Sequence, residues 1–215
     1  MPILPKFLEV NRTSTGHLQA IARIYEASIP PSERKPVSAI WEMAGRPDYR
    51  LVAATDSQHV VGFAAVFAPP DDPFALLEYL AVDETTRGRG LGAGLFHTTV
   101  EALNRDTRSK SLLVEVEADV GGECDHEARR RRLAFYRRLD CRRIADLDYQ
   151  LPLRTAGVPP AMHLYIHRGA NDAPLPRAEL ARALRRIYAH VYAQRSDDPR
   201  IDDMLARVTD PVSLA

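Results

Sequence analysis

Between Val82 and Leu95 the chain reads VDETTRGRGLGAGL, a stretch in which Gly88, Gly90 and Gly92 stand where a strand-like apolar run gives way to a helical one. Glycines at such a junction let the backbone turn tightly and approach a ligand, with consecutive N–H groups pointing outward. The helix expected to follow, Gly90 to Asn104, adds unpaired first-turn donors and about half a positive charge at its N-terminus. That combination is chemistry for holding a diphosphate.

Three glycine-rich phosphate readers compete for the segment, and spacing separates them. A P-loop ends in Gly-Lys-Ser/Thr, which is absent. The dinucleotide fingerprint G-x-G-x-x-G/A is matched by Gly88, Gly90 and Ala93, with Glu115 and Glu117 on the next strand in place of the ribose-binding acid. It would make the chain a nicotinamide-dependent oxidoreductase. The fingerprint, however, sets its glycines almost directly after the strand; here Asp83 to Arg87 intervene, and no second βαβ half is visible. The third pattern, R/Q-x-x-G-x-G/A, is matched by Arg87, Gly90 and Gly92 after the strand Tyr79-Leu80-Ala81-Val82-Asp83.

With these residues the chain resembles the GNAT (Gcn5-related) N-acetyltransferases, whose pyrophosphate loop has this pattern. A second segment supports the resemblance: a basic helix expected over Asp125 to Leu139 contains RLAFYRRL, with Phe135-Tyr136, and is similar to the family's second conserved motif. Where the family usually has Gly-Phe or Gly-Ala after this helix, the chain has Asp140-Cys141. Aspartate tolerates the left-handed conformation that ends a helix, so the same cap remains available.

The resemblance implies acetyl-CoA as acyl donor and direct transfer of the acetyl group to a primary amine of a small molecule or peptide. No covalent acyl-enzyme and no metal are expected. It implies that the coenzyme is bound by Leu80, Ala81 and Val82, by the loop residues Arg87, Gly88, Arg89 and Gly90, by Leu91, Gly92 and Ala93 at the helix start, and by Phe135 and Tyr136. An amine is protonated near neutrality and must lose its proton before attacking a thioester. Glu78, on the strand whose backbone should flank the acetyl group, is the leading base. Glu115 and Glu117, sharing one face of the neighbouring strand, or a water, are alternatives. A thiolate leaving group benefits from a proton donor, and the motif places Tyr136 in that role; Phe135 is expected to be the packing residue of the pair. The thioester oxygen should meet a backbone N–H near Ala81 or Val82.

For the acceptor, the loop Ile29 to Pro36 borders the site in the family. Glu33 with Glu78, Glu115 and Glu117 would make a mildly anionic cleft suited to a cationic amine, whereas Arg34 could equally select a carboxylate. A reading from another class also stands: a catalytically silent coenzyme-A-binding sensor or interaction module.

These residues need a scaffold, and the periodicity of the chain supplies one. Phe7 to Arg12 reads as a strand; Ser14 or Thr15 then caps a helix with Leu18, Ile21, Tyr25 and Ser28 on one face, ended by Pro30-Pro31. A short helix follows around Val37 to Ala44. Tyr49 to Ala54 and Val60 to Ala68 form a hairpin of strands. After the glycine loop and its helix come a strand over Ser111 to Ala118, the basic helix, and strands over Arg142 to Leu153 and Met162 to His167. The fold class is α/β, an α+β arrangement on a mixed sheet, and the resemblance implies the GNAT acyl-CoA N-acyltransferase fold. Residues 1–169 would be that domain. Residues 170–215 would be a helical extension, with helices over Arg177 to Gln194 and Pro199 to Val208, packing on the domain or on a partner in a possible homodimer.

The 215 residues carry 29 Lys+Arg and 29 Asp+Glu, so no global field attracts nucleic acid or an anionic membrane. The run Arg129 to Arg132, with Arg137, Arg138, Arg142 and Arg143 beyond, reads as a solvated helix face or as help for a coenzyme phosphate, and no nucleic-acid partner is expected. Cys124 and Cys141 suggest neither a disulfide framework nor zinc. His163 and His167 fall on one strand face, too far apart to chelate closely. No signal peptide or membrane span is indicated, and the expected location is cytoplasmic.

Overall fold

A computed structural model describes residues 5–31, 34–57, 59–105, 110–119, 126–152 and 160–215. They fall into two compact units, residues 1–110 and 111–215, each built of strands and helices.

In the first unit four strands pair antiparallel in chain order: β1 (Lys6–Val10), β2 (Tyr49–Asp56), β3 (His59–Phe67) and β4 (Phe74–Val82). β2 and β3 are apolar along most of their length because helices cover both of their faces. Helix α1 (Thr15–Ser28) buries Leu18, Ile21, Ala22 and Tyr25, the spacing of one helical face. The ring of its Tyr25 meets Phe63 of β3 and Tyr79 of β4 edge-on. α2 (Ser38–Met43) is a short helix that adds Ile40 and Met43 to the core. Helix α3 (Leu91–Arg105) covers the opposite face: a Cβ on Gly62, the residue next to Phe63, would lie 3.1 Å from Leu95 of α3 and 2.9 Å from the Ala81 carbonyl. β1 reaches the same helix, for a Cβ on Gly94 would fall 2.3 Å from the Phe7 ring.

The entry to α1 differs from expectation. Ser14 occupies the cap position but makes no side-chain cap bond. Its hydroxyl donates instead to Asn11 Oδ1, which also accepts from the N–H and hydroxyl of Thr13; Asn11 organises the turn, and Ser14 is committed to it.

In the second unit β5 (Ser111–Glu117) pairs antiparallel with β7 (Met162–His167), and β7 with the two-residue β6 (Arg142–Arg143). The strand expected to run on to Leu153 stops at Arg143. Ile144 and Tyr149 make only isolated bridges, and Asp146 has φ +56°, which extended backbone does not allow. The C-terminal residues take up the vacated edge: Arg143 and Ala215 exchange two backbone hydrogen bonds and Ala145 N–H donates to Ser213. Helix α4 (His126–Arg138) ends as predicted. Asp140 adopts φ +58°, Cys141 N–H donates to the Tyr136 carbonyl and Asp140 N–H to that of Arg137, a left-handed helix stop made without glycine.

Helix α5 (Arg177–His190) buries Leu180, Leu184, Ile187 and Tyr188. It is shorter than expected because the chain reverses at Ala193, φ +51°. α6 (Pro199–Leu205) starts with Pro199 behind an Asp198 cap that accepts from Arg200 N–H, and it buries Ile201, Met204 and Leu205. Tyr188 donates to the Gln150 carbonyl at 2.5 Å, and Tyr192 to Glu115 of β5. Among the described residues no helix is long and apolar enough to cross a membrane.

Candidate active site

β4 carries a bulge. Ala65 of β3 faces Tyr79, but the next residue, Val66, faces Leu77, which leaves Glu78 as the extra residue. In a regular strand Glu78 and Tyr79 would point to opposite faces. The inserted residue cancels that alternation and turns both toward α1.

The consequence is a buried carboxylate in a polar nest. The Glu78 side chain is 4% exposed; its Oε1 lies 2.6 Å from Lys35 Nζ and its Oε2 accepts from the Tyr49 hydroxyl at 2.7 Å. Tyr25 holds the backbone that presents Lys35, accepting from Lys35 N–H at 2.7 Å and donating to its carbonyl at 3.2 Å. Burial first, and then the Glu78 charge, push Tyr49 and Tyr79 above the usual phenol range. Both therefore remain neutral hydrogen-bond donors at physiological pH. Sequence reasoning selected Glu78 but not its partners. Tyr49 stands 29 positions away and reaches the carboxylate only through the β2–β3–β4 pairing; the one local signal was Lys35 in the loop before α2.

Beyond β4 the glycine loop is built as its sequence suggested. Asp83 accepts from Thr85 N–H at 3.0 Å and from the Thr85 hydroxyl at 2.5 Å, closing a 3-10 turn over Glu84–Thr86. Those two bonds hold the Asp83 carboxyl below its ordinary range. Gly88 and Gly90 follow at φ +81° and +76°, and space is open around both. A side chain at either would strain the backbone. Gly92 lies inside the first turn of α3. Gly94 N–H donates to the Gly90 carbonyl, so Leu91, Gly92 and Ala93 carry the first-turn N–H groups that receive no helical carbonyl.

The charged side chains of the loop are partly committed. Arg87 Nε donates to the Val82 carbonyl at 3.3 Å, and Arg89 lies 3.7 Å from Asp56 in an exposed ion pair. That leaves backbone amides and the helix N-terminus as the uncommitted positive groups of the loop. The residues present fit a diphosphate, and with β4 leading into the loop they fit an extended group attached to it. Leu80 and Val82 share the α3 face of β4, while Ala81, opposite Phe63, faces α1.

In the second unit Tyr136 is 8% exposed, whereas Phe135 is half-buried, with the rings 5.1 Å apart edge-on. This reverses the expectation that Phe135 is the packing member of the pair: position 136 shares the inward face of α4 with Leu133 and Arg129. Burial pushes the Tyr136 phenol up, with the Arg132 charge opposing, so it too remains a proton donor.

The alternative bases have other partners. Glu115 accepts from Tyr149 through one oxygen and from Tyr192 through the other. Glu117 is paired with Arg129 at 3.2 Å and faces Arg132 at 3.8 Å. Arg129, 5% exposed, is therefore an anchor of the second unit and not part of a solvated helix face. Glu115 is thus held by two phenols and Glu117 by two guanidinium groups, all within the second unit. Glu78 differs in being held by an ammonium, a group of the same kind as a protonated amine acceptor.

Glu33 lies outside the described residues, and so does Cys124. Arg34 donates to the Glu26 carbonyl at 2.9 Å. Cys141 is buried, and burial, then the Asp140 charge, push its thiol up to about 12. Among the described residues no group of His, Cys, Asp or Glu side chains is placed to hold a metal ion.

Comparison with known proteins bears on this geometry. A family model described as the acetyltransferase (GNAT) family matches residues 18–140. No curated protein matches the sequence. Among solved structures, a protein described as a GNAT-family acetyltransferase from Bacteroides thetaiotaomicron aligns with TM-score 0.67 at 20% identity, covering 88% of this chain and 99% of that one. Arabidopsis thaliana NAA60 in complex with acetyl-CoA aligns with TM-score 0.58 at 16% identity, over 76% of this chain and 98% of that one. The ribosomal-protein-S18-alanine N-acetyltransferase from Escherichia coli gives 0.54 at 17%, over 79% and 99%. At these identities the likeness is one of fold.

Proposed function

The chain belongs to the GNAT acetyltransferase family, an acyltransferase class of enzyme, and from that premise we propose that it moves an acetyl group from acetyl-CoA directly to a primary amine of a small molecule or peptide. The observation that carries the proposal is the Glu78 nest: a buried carboxylate, turned out of β4 by a bulge, that already holds an ammonium at 2.6 Å. When bound, acetyl-CoA supplies the activated acyl thioester. The chain's own residues do the rest. The open backbone at Gly88 and Gly90, with the first N–H groups of α3, receives the diphosphate. A cationic acceptor exchanges with Lys35 at Glu78, which takes its proton directly or through a water while Tyr49 keeps the carboxylate oriented. Tyr136, held neutral by burial, donates a proton to the departing thiolate.

Titration calorimetry with acetyl-CoA, and with NADH in parallel, tests the cofactor half. Saturable acetyl-CoA binding that a bulky residue at Gly90 abolishes supports the reading; binding of NADH alone removes it. Tyr136→Phe tests the other half, and the expected result is a large loss of turnover with nearly unchanged acetyl-CoA affinity. An equal loss confined to affinity would make Tyr136 a binding residue.

A further inference from the structure

A second polar site lies within the second unit, on the same helix as Phe135 and Tyr136 but lined by neither. Between α4 and β6–β7 is a cavity of about 420 Å³, walled by Arg130 and Arg137 of α4, Arg143 of β6, and His163 and Tyr165 of β7. Three features distinguish it from a solvated basic surface. None of the ion pairs formed among the described residues includes Arg130, Arg137 or Arg143, although Arg129, Arg131 and Arg132 on the same helix all have carboxylate partners. Tyr165 is 1% exposed, and its hydroxyl has no hydrogen-bond partner among the described residues. Buried hydroxyls are rarely left this way without a ligand or water to receive them. The one carboxylate among the described residues of the wall, Asp119, is already held by His126 Nδ1.

We infer that this cavity is a binding site for a phosphomonoester, its phosphate held by Arg130, Arg137 and Arg143 with the Tyr165 hydroxyl as an inner donor. Three guanidinium groups against one carboxylate leave a positive excess that matches a phosphate dianion, and guanidinium forks match its oxygens. The volume exceeds that of a bare phosphate, and Leu133 and Ala134 give an apolar wall for the organic part of the ligand. Burial, then the charges of Arg143 and Arg137, hold His163 below the usual imidazole range. The neutral form is therefore favoured, and in it one ring nitrogen still donates to the phosphate.

The test is thermal unfolding of the full chain as inorganic phosphate replaces chloride at constant ionic strength. A ligand of the native state raises the transition temperature saturably. Arg137→Gln and Arg143→Gln should each raise the half-saturating concentration by about tenfold or more, the usual loss for a charged hydrogen bond, and Tyr165→Phe by a few-fold. Arg137 is exposed and Arg143 half-buried, so their Gln variants keep the fold even if a substitution at the buried Tyr165 does not. Succinate at the same concentration should act more weakly. Repeating the titration with saturating coenzyme A and then dephospho-coenzyme A separates the sources: loss of the response only with coenzyme A identifies the coenzyme's own phosphomonoester, and a response kept in both identifies a free phosphorylated metabolite. A non-saturating rise, equal in wild type and variants, is a general salt effect and overturns the inference. So does an equal response to succinate.

Discussion

Replacing Glu78 by Gln removes one charge while preserving shape, and the structure sets the size of each consequence. Breaking a buried ion pair by deleting one partner costs about 3–5 kcal/mol, and an exposed one about 0–1. Here the carboxylate is 4% exposed but the Lys35 side chain is 28% exposed, so the ammonium can turn to water and Gln retains the Tyr49 bond. About 1–3 kcal/mol of stability should be lost. For a chain of this size that lowers the unfolding temperature by roughly 2–12 °C, and assays run well below the transition remain valid. The rate should fall by about 10²–10⁴, the usual worth of a positioned base, with acetyl-CoA affinity nearly unchanged. The pH profile is the sharper readout. An alkylamine with a pKa of about 10.4 is only about 0.04% free base at pH 7. A variant that must wait for that fraction gains about tenfold in rate per pH unit until the amine titrates, whereas the wild type removes the proton at the site and rises less steeply. Steady-state rates from pH 6.5 to 9.5, with acetyl-CoA saturating, measure both slopes. Loss of less than about threefold, or a large loss with parallel pH profiles, would refute the role of Glu78 as base.

Other expectations rest on separate features. Gly90→Ala places a Cβ where nothing obstructs it but where φ is +76°; left-handed backbone costs a non-glycine residue about 1–2 kcal/mol, so acetyl-CoA affinity by calorimetry should fall by roughly 5- to 30-fold if the bound loop needs this geometry. Cys141→Ala should retain activity, since the thiol is buried and held near 12; near-total loss in a normally folded variant would overturn direct transfer. Tyr49, Tyr79 and Tyr149 have folded-state pKa values above the 10.0 of a free phenol. Their contribution is complete below about pH 10 and is lost as pH rises further, because the unfolded chain releases protons the folded one keeps. Each should lower stability by about 1.4 kcal/mol per pH unit there, and denaturant titrations of Tyr149→Phe should show a shallower fall than wild type.

Local chemistry was the legible part of this sequence. Gly88 and Gly90 announced a left-handed loop, the apolar stripes of α1 and α5 gave their buried faces, and Asp140 proved a helix stop because a short polar side chain tolerates positive φ. Contacts that depend on register were not legible. The bulge that aims Glu78 at Lys35 and Tyr49 is one extra residue in a strand pairing, with no mark in β4 itself. The same holds for the Tyr149 and Tyr192 clamp on Glu115, which joins residues 77 positions apart. The run Arg142 to Leu153 read as a strand from its residue types, yet Asp146 breaks it and the C-terminal residues replace it. Ser14 looked like a helix cap until Asn11 claimed its hydroxyl.

The central claim is amine-dependent acetyl transfer, and its most direct measurement is the release of free coenzyme A thiol from acetyl-CoA over a panel of cationic, neutral and carboxylate-bearing primary amines and peptide N-termini, with product mass confirmed. The account predicts turnover with a subset of cationic amines, lost in Glu78→Gln and retained in Cys141→Ala. Saturable acetyl-CoA binding with no amine-dependent thiol release across the panel would contradict it and leave a coenzyme-binding module without catalysis.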